Sequence, residues 1–432
     1  MAPNLVRNVF DPYRHRENRL THALVHAIAH DKTLARQFVR FATGTVLPAS
    51  YDLSVSCQAA PGDSLEQLTA EREPDDPSVP DAWIFDEEAA WALVCECKLT
   101  ASLEEKQLRR HLQAAQRRGF DQVALLAITA HEEQPSCIGS LGQGHPEISV
   151  SWRNWAQVHS YFSRLSRDAF VLEFVDYMRV LEEQLMADGY DGPPLRSFEG
   201  IRFGASKPYT ESAAKVLLRS LMKELRPKMQ AILPVDTSVG RSSMGGAWDI
   251  IWLTPPSPDK SFTEHPHLTV WLGRDEAGIQ VTLPNNAHPQ YWKRLRRSTK
   301  AAIHATLTAV NEELGSIRRS AGPGVEEPRL TWSMGQVHFH GRRTEVRDGE
   351  IFFDVESILA PEAKSASRVK NVPAWLDAAF ALVQQKNRAN FELSLQARFP
   401  YVPGGLCSSP HFVDTLTYSA KAFRPFSDLL LG

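Results

Sequence analysis

The stretch VPDAWIFDEEAAWALVCECKL, from Val79 to Leu99, restricts the fold of this chain more than any other segment. It predicts two strands, residues 82–85 and 91–98, because each run is rich in aromatic and aliphatic side chains. The acidic residues 86–88 between them predict a short turn that is exposed to solvent. Two strands joined by so short a turn pair in antiparallel fashion, so this segment commits the chain to a β-sheet.

The second strand carries charges where burial is expected. Because side chains alternate across a strand, Glu96 and Lys98 share one face with Val94. The opposite face carries Leu93, Cys95, Cys97 and Leu99, which we expect to pack in the core. A carboxylate and an ammonium on a core strand are costly to desolvate, which indicates that their face has a function. The simpler alternative is a solvated strand face on which the two charges pair with each other.

Hydrophobic periodicity divides the chain into two predicted domains. Residues 1–192 are predicted to form an α/β domain in the order helix, three strands, helix, two strands and two helices, with a loop over residues 61–80. A segment rich in proline and glycine, residues 191–200, predicts the domain boundary. Residues 200–432 are predicted to form an α+β domain of unknown role, in which one long helix is expected over residues 291–314.

Composition excludes several classes of protein. The chain has 432 residues, of which 43% are hydrophobic, and its net charge of −3 rules out a global positive field. Five cysteines without a CxxC pair argue against a disulfide framework or a structural zinc site. The sequence shows no leader pattern and no apolar run long enough to span a bilayer, so we expect a cytoplasmic protein without membrane contact.

The hairpin brings Asp81 beside Glu96, because Asp81 stands at the start of the first strand. Two neighbouring carboxylates repel each other and favour a divalent cation between them; oxygen ligands suit Mg²⁺, which also accepts a substrate phosphate. The backbone carbonyl of Cys97 is a further candidate ligand. Lys98 then lies where its ammonium can orient or deprotonate a metal-bound water and stabilise charge on a phosphate.

Pro80-Asp81, followed after a hairpin by Glu96-Cys97-Lys98, resembles the motif of the PD-(D/E)XK nuclease superfamily. The resemblance covers roughly residues 8–190 and implies a restriction-endonuclease-like fold, a mixed sheet flanked by helices. It also implies that a glutamate of the first helix joins the metal site, and Glu17 is the matching residue. A catalytic glutamine on the helix after the motif is matched by Gln107. In several branches a tyrosine follows four residues later, but this chain has His111 there, and its role stays open.

The resemblance further implies a metal-dependent DNA nuclease that uses Mg²⁺ or Mn²⁺ to hydrolyse phosphodiester bonds, as an endonuclease or an exonuclease. Its catalytic residues would be Asp81, Glu96 and Lys98. Proteins in which such a domain is fused to an unfamiliar second domain are often bacterial restriction or antiphage-defence effectors. A partner protein or homo-oligomerisation would then control the activity, and the C-terminal domain would recognise DNA, a partner or a trigger.

Two basic segments are candidates for contact with nucleic acid. The helix predicted over residues 101–120 carries Lys106, Arg109 and Arg110 close to the strand that bears the motif, where they can meet a phosphate backbone. The segment YWKRLRRSTK, residues 291–300, combines aromatic and basic side chains. Charge runs on helices are commonly solvated faces without a ligand, and this alternative stays open for both segments.

Two rival functions stay open. One is a non-catalytic nucleic-acid-binding or scaffold protein that retains the nuclease fold, and the other is an RNA-directed nuclease. The sequence contains no GxxxxGK[ST] or GxGxxG loop, which argues against an ATP-driven motor within this chain.

Overall fold

The structure, a computed structural model, divides the chain into two compact units, Met1–Ser197 and Phe198–Gly432. The division falls within the segment 191–200, which the sequence predicted as the boundary. The described residues are 16–57, 61, 79–141, 148–165, 168–190, 192–204, 208–233, 246–253, 261–320, 328–340, 344–359, 372–384 and 390–432. Most of the loop predicted over residues 61–80 lies outside these ranges.

The N-terminal unit contains a five-stranded mixed sheet whose spatial order equals the chain order. Its strands are β1 (Ser54–Cys57), β2 (Ala82–Asp86), β3 (Trp91–Cys97), β4 (Gln122–Thr129) and β5 (Ile148–Asn154). The first three strands pair antiparallel, whereas β3, β4 and β5 run parallel. The direction changes at β3 because helices supply the crossovers from β3 to β4 and from β4 to β5.

Helices cover both faces of this sheet. They are α1 (Arg16–Ala29), α2 (Lys32–Thr43), α3 (Glu105–Arg117), α4 (Ser136–Leu141), α5 (Trp155–Arg164) and α6 (Ala169–Ala187). Two separate cores result: α1, α2, α5 and α6 pack on one face of the sheet, and α3 and α4 pack on the other. The α/β class predicted for this domain is confirmed.

Local capping fixes where several of these helices begin and end. The Asp31 carboxylate accepts a hydrogen bond from the Thr33 amide at the start of α2, and Gly44 ends the helix with a φ of +78°, a conformation that favours glycine. Asn154 and Gln157 form a reciprocal capping box at the start of α5. Because α5 follows β5 without a loop, this box also fixes the end of the fifth strand.

The turn between β2 and β3 differs from the prediction at Asp86. Glu87 and Glu88 are exposed as expected, but Asp86 is only 4% exposed. Its carboxylate accepts hydrogen bonds from the backbone amides of Asp52, at 2.5 Å, and Ala89, at 3.0 Å. Asp86 is therefore a structural residue that closes the hairpin, because its oxygens satisfy amides that the turn leaves unpaired.

The C-terminal unit contains a six-stranded antiparallel sheet in the order β10-β9-β11-β8-β7-β6. The strands are β6 (Ala247–Trp252), β7 (His267–Leu272), β8 (Glu276–Leu283), β9 (Arg329–His340), β10 (Thr344–Asp354) and β11 (Asn390–Pro400). The helices are α7 (Glu211–Ile232), α8 (Pro289–Arg297), α9 (Lys300–Ser320), α10 (Val355–Leu359), α11 (Val372–Gln384), α12 (Phe412–Ala422) and α13 (Arg424–Leu431). Helices and sheet share one continuous core.

The single helix predicted over residues 291–314 is wrong, because two helices occupy this segment. Helix α8 ends at Arg297, and Ser298 adopts an extended backbone that interrupts the helix. Thr299 then accepts a hydrogen bond from the Ala302 amide at 3.1 Å and starts α9. A serine and a threonine compete with helical hydrogen bonding through their hydroxyls, which explains why the helix breaks here.

Among the described residues, no helix is long and apolar enough to cross a membrane.

His267 makes the stability of the C-terminal unit depend on pH. Burial lowers the pKa of His267 to about 4, below the ordinary 6.5, although its Nδ1 lies 2.9 Å from the His265 carbonyl oxygen. Between these two pH values the unfolded state binds more protons, so the free energy of unfolding falls as the pH drops, by up to about 1.4 kcal/mol per pH unit.

Urea unfolding of the wild type and His267→Asn at about pH 7.5 and about pH 5 tests this expectation. Asparagine retains a donor near the position of Nδ1 but does not titrate. We expect the wild type to lose stability relative to the variant at the lower pH, and an unchanged difference between the two proteins would contradict the expectation.

Candidate active site

The charged face of β3 is oriented as its alternation predicted. Val94 packs against α3 in one core, whereas Leu93, Cys95 and Cys97 pack in the other core. Glu96 therefore projects toward α3 and is only 1% exposed, which excludes the solvated strand face considered from the sequence. All of β3 is buried, so the charge of Glu96 has to be matched by other protein groups.

Asp81 lies beside Glu96 because of the strand register. Ala82 pairs with Cys95 in the antiparallel β2–β3 ladder, so Asp81, one residue earlier, falls opposite Glu96. The Asp81 Oδ2 atom accepts a hydrogen bond from the Cys97 amide at 2.7 Å. No partner for the other Asp81 oxygen is present among the described residues. The sequence predicted this neighbouring pair of carboxylates, and the structure brings it together.

Lys98 connects two of the predicted site residues. Its Nζ lies 2.7 Å from Glu96 Oε1 and 3.1 Å from Glu17 Oε1. Lys98 and Glu96 thus form a close ion pair inside the unit. The Lys98 amide donates to the Ile128 carbonyl at 2.8 Å, and the Lys98 carbonyl accepts from Trp155 Nε1 at 3.2 Å.

Glu17 enters the site from the first turn of α1, where a carboxylate is favoured by the helix dipole. Besides its contact with Lys98, its Oε2 accepts a hydrogen bond from the Leu99 amide at 2.8 Å. Both Glu17 oxygens thus hold the end of β3 against α1. The placement of Glu17 in the site agrees with the resemblance, whereas its predicted role as a metal ligand stays a prediction.

His111 is a site residue whose role the sequence left open. Its Nε2 lies 2.9 Å from Glu96 Oε2, and both side chains are only 1% exposed. The signal in the sequence was the replacement of an expected tyrosine by histidine one helical turn after Gln107. That position alone does not reveal the contact, because the rotation of α3 against the sheet decides which side chain meets Glu96.

The pKa values of Asp81 and Glu96 are shifted in opposite directions. Burial, reinforced by the charge of Glu96, raises the pKa of Asp81 to about 8. Burial alone would also raise the pKa of Glu96, but the hydrogen bond to His111 and the charge of Lys98 outweigh it, so that the pKa of Glu96 lies below its ordinary value. Burial opposes the charged form of Lys98, yet Glu96 and Glu17 raise its pKa above the ordinary range.

The donor set fits a divalent cation in type and charge. Among the described residues, no three His, Cys, Asp or Glu side chains surround a common point in metal-binding geometry. However, Glu96 Oε1 and one oxygen of Asp81 retain acceptor capacity, and Mg²⁺ commonly uses one or two carboxylates and keeps several waters. Three carboxylates and one ammonium give the cluster a formal charge of −2 when all are ionised and His111 is neutral.

Cys97 contributes to the site through its backbone. Its amide holds Asp81, whereas its thiol is fully buried on the opposite face of β3. The carbonyl of Cys97 as a metal ligand stays a prediction.

The predicted basic surface lies on α3. Lys106 and Arg109 are exposed, and Arg110 is half-buried. They line an open depression of about 530 Å³ together with Glu105 and Gln113. Arg109 pairs with Glu105 at 2.7 Å, which reduces its availability for a phosphate. Gln107 is half-buried and lies on the same helical face as His111, four residues before it.

The second basic segment, residues 291–300, lies on α8 and the start of α9. Tyr291 and Trp292 are buried in the core, so they are not an exposed stacking surface. Arg294 donates to the Leu431 carbonyl near the C-terminus, and Arg296 lies over the Trp292 ring. These contacts favour a structural role for the segment.

No protein-family model, no curated protein and no solved structure matches this chain. The resemblance to nucleases therefore depends on the residues of the site and on the arrangement of the elements that carry them.

The raised pKa of Asp81 predicts a stability effect. The native state binds more protons than the unfolded state between about pH 3.8 and pH 8, so the free energy of unfolding falls as the pH rises through this window. Asparagine at position 81 still accepts from the Cys97 amide but cannot ionise. In EDTA, Asp81→Asn should gain stability over the wild type as the pH rises from about 5 to about 8, by up to about 1.4 kcal/mol per pH unit.

Urea unfolding of the N-terminal unit measures this difference. Asp52→Asn is the matched control, because Asp52 is an exposed carboxylate of the same unit, paired with Lys32. The expectation fails when the advantage of Asp81→Asn stays constant or shrinks toward high pH.

Proposed function

We propose that the N-terminal unit is a metal-dependent nuclease of the PD-(D/E)XK type that hydrolyses phosphodiester bonds in DNA. The observation that carries the proposal is the convergence of Asp81, Glu96 and Lys98 at the end of β3. A buried carboxylate, a second carboxylate of raised pKa and a lysine within ion-pair distance form an arrangement typical of catalytic sites.

The topology supports a restriction-endonuclease-like fold. A helix with a glutamate precedes three antiparallel strands, then a helix leads to a fourth strand parallel to the third. The site lies at the carboxyl end of β3, beside the parallel neighbour β4, and ligands of open α/β sheets commonly bind at such strand ends.

Asp81 and Glu96 would hold Mg²⁺ or Mn²⁺, and Glu17 would act as an accessory group. When bound, such an ion polarises the phosphate and activates a water for attack on phosphorus. The two carboxylate oxygens with free acceptor capacity support this assignment, as does the negative charge of the cluster.

Lys98 would stabilise the charge that develops on the phosphate. Its ammonium is held by Glu96 and Glu17, and its backbone is fixed on both sides, so little reorganisation is needed when substrate binds. The raised pKa of Lys98 favours its charged form, which supports electrostatic stabilisation over proton abstraction by this residue. Gln107 would contact substrate from the same face of α3.

DNA is the proposed substrate, with Lys106 and Arg110 as backbone contacts and Arg109 in a weaker role. These side chains lie on α3, the helix that follows the catalytic strand. The roles of the C-terminal unit in recognition or control, of a partner or homo-oligomer in regulation, and of the protein in restriction or antiphage defence belong to this proposal as well. They derive from the resemblance.

A non-catalytic nucleic-acid-binding protein is the second candidate. One observation favours it: both oxygens of Glu96 already face protein groups, Lys98 and His111. In such a protein the cluster would only join α1, β3 and α3, and an added cation would have no effect on substrate.

Cleavage assays separate the two candidates. Supercoiled plasmid, linear duplex and single-stranded RNA are incubated with Mg²⁺ or Mn²⁺ and the wild type, Asp81→Asn, Glu96→Gln or Lys98→Ala. We expect cleavage of DNA by the wild type and a loss of about 100-fold or more in each variant, because each removes a charge from the reacting centre.

Lys32→Ala and Asp52→Asn are controls, since they alter an exposed ion pair of the same unit and should cleave at the wild-type rate. If the wild type and every variant leave all three substrates intact, the result favours the non-catalytic nucleic-acid-binding protein. Cleavage restricted to RNA would replace DNA by RNA as the substrate.

Binding to uncleaved DNA tests the basic face of α3. In the Asp81→Asn background, Lys106→Ala and Arg110→Ala should each weaken binding and reduce the slope of log affinity against log salt by about 1. Fluorescence anisotropy with a labelled duplex gives both values, and Lys32→Ala is again the control. Unchanged slopes in both variants would show that this face is solvated without a ligand.

A further inference from the structure

His111 and Glu96 form a buried pair at the interface of α3 and β3. Their 2.9 Å contact joins the helix to the catalytic strand, and each side chain is 1% exposed. The neighbours of His111 on α3, Leu108 and Leu112, belong to the apolar core beneath the helix. A polar ring at this position therefore displaces apolar packing that the rest of the helix face provides.

The chemistry of the pair fixes the direction of its hydrogen bond. An ionised carboxylate only accepts, so His111 Nε2 carries the hydrogen and donates it to Glu96 Oε2. The other ring nitrogen, Nδ1, is buried without a hydrogen-bond partner among the described residues. A buried polar atom without a partner costs stability, so the position is a poor choice for packing alone.

The contact also makes the two oxygens of Glu96 different. Oε2 is occupied by the ring edge of His111, whereas Oε1 lies 2.7 Å from the Lys98 ammonium at the end of β3. Without His111, the carboxylate could rotate and exchange these positions. With it, Oε1 is held on the side of Lys98.

We infer that His111 is a positioning residue that holds Glu96 Oε2 and thereby presents Oε1 to the divalent cation of the proposed nuclease. The inference rests on the proposed function, since it assigns to Glu96 the role of a ligand. The resemblance expects a tyrosine at this position; the chain has His111 instead, and Glu96 is its partner.

Two amide substitutions separate positioning from packing. In His111→Gln the side-chain nitrogen reaches the place of Nε2 and can still donate to Glu96. In His111→Asn the shorter side chain places its amide only near the position of Nδ1, so Glu96 loses its donor. His111→Leu fills the position without a donor, so a purely structural role predicts that it matches His111→Gln, whereas a positioning role predicts that it behaves like His111→Asn.

The experiment measures Mn²⁺ affinity by calorimetry on metal-free protein, and kcat and KM for DNA cleavage at saturating and limiting Mn²⁺. We expect His111→Asn to weaken Mn²⁺ binding and lower kcat by about 10- to 100-fold with KM for DNA unchanged, as for other groups that orient a ligand. His111→Gln should recover most of both values. Thermal melting in EDTA verifies that each variant is folded.

The outcomes distinguish this inference from the proposed function. When the wild type cleaves DNA and His111→Asn equals it in Mn²⁺ affinity and kcat, His111 has no positioning role and the nuclease stands. When the wild type binds Mn²⁺ without cleaving, and His111→Asn weakens this binding, positioning stands and the nuclease fails. A wild type that neither binds Mn²⁺ nor cleaves overturns both. If His111→Asn does not fold, His111→Leu, which fills the position without a donor, takes its place.

Discussion

The ammonium of Lys98 is the charge on which the N-terminal site depends. It lies between carboxylates from β3 and α1 and so links the central strand to the first helix. Without it, Glu17 and Glu96 would lose an ion-pair partner, and the mutual repulsion of Glu17, Glu96 and Asp81 would be compensated less. Buried ion pairs of this kind rarely stabilise a protein more than apolar packing does, so their presence favours a functional explanation.

Of the two neighbouring carboxylates, Asp81 is the one whose charged form stays destabilised by burial. Glu96 has His111 and Lys98 as partners, whereas Asp81 has one backbone amide and the repulsion of Glu96. Its pKa is raised accordingly, which favours the protonated form of Asp81. The cysteines differ: burial raises the pKa of Cys95 and Cys97 above the ordinary range, which keeps both thiols protonated and unreactive.

In the C-terminal unit, several uncharged polar side chains pair with one another inside the sheet. Ser333 and Ser394 face each other across neighbouring strands at 2.7 Å, and the Gln396 amide donates to both hydroxyls. Thr269 and Thr282 form a similar pair at 2.9 Å between β7 and β8. These groups satisfy one another within the sheet, which is typical of a structural network and contrasts with the incomplete satisfaction of Asp81 and Glu96.

The sequence alone was sufficient for the strand pair and for the α/β class of the first unit. Alternation along β3 is a local property, so it also separated Glu96 from the cysteines without knowledge of any partner. Local patterns failed at Ser298 and Thr299. The short polar side chains of these two residues interrupt the helix, so the segment predicted as one helix forms two.

Tertiary structure decided which residues surround the charged face of β3, the face that carries Glu96. Glu17 meets Lys98 across 81 positions of sequence, and His111 meets Glu96 because α3 packs with one particular rotation on the sheet. It also decided that Asp86 is buried beside the Asp52 amide. A strand fixes the face of its own side chains through the geometry of its backbone, but the partners on that face come from helices whose placement depends on the packing of the whole unit.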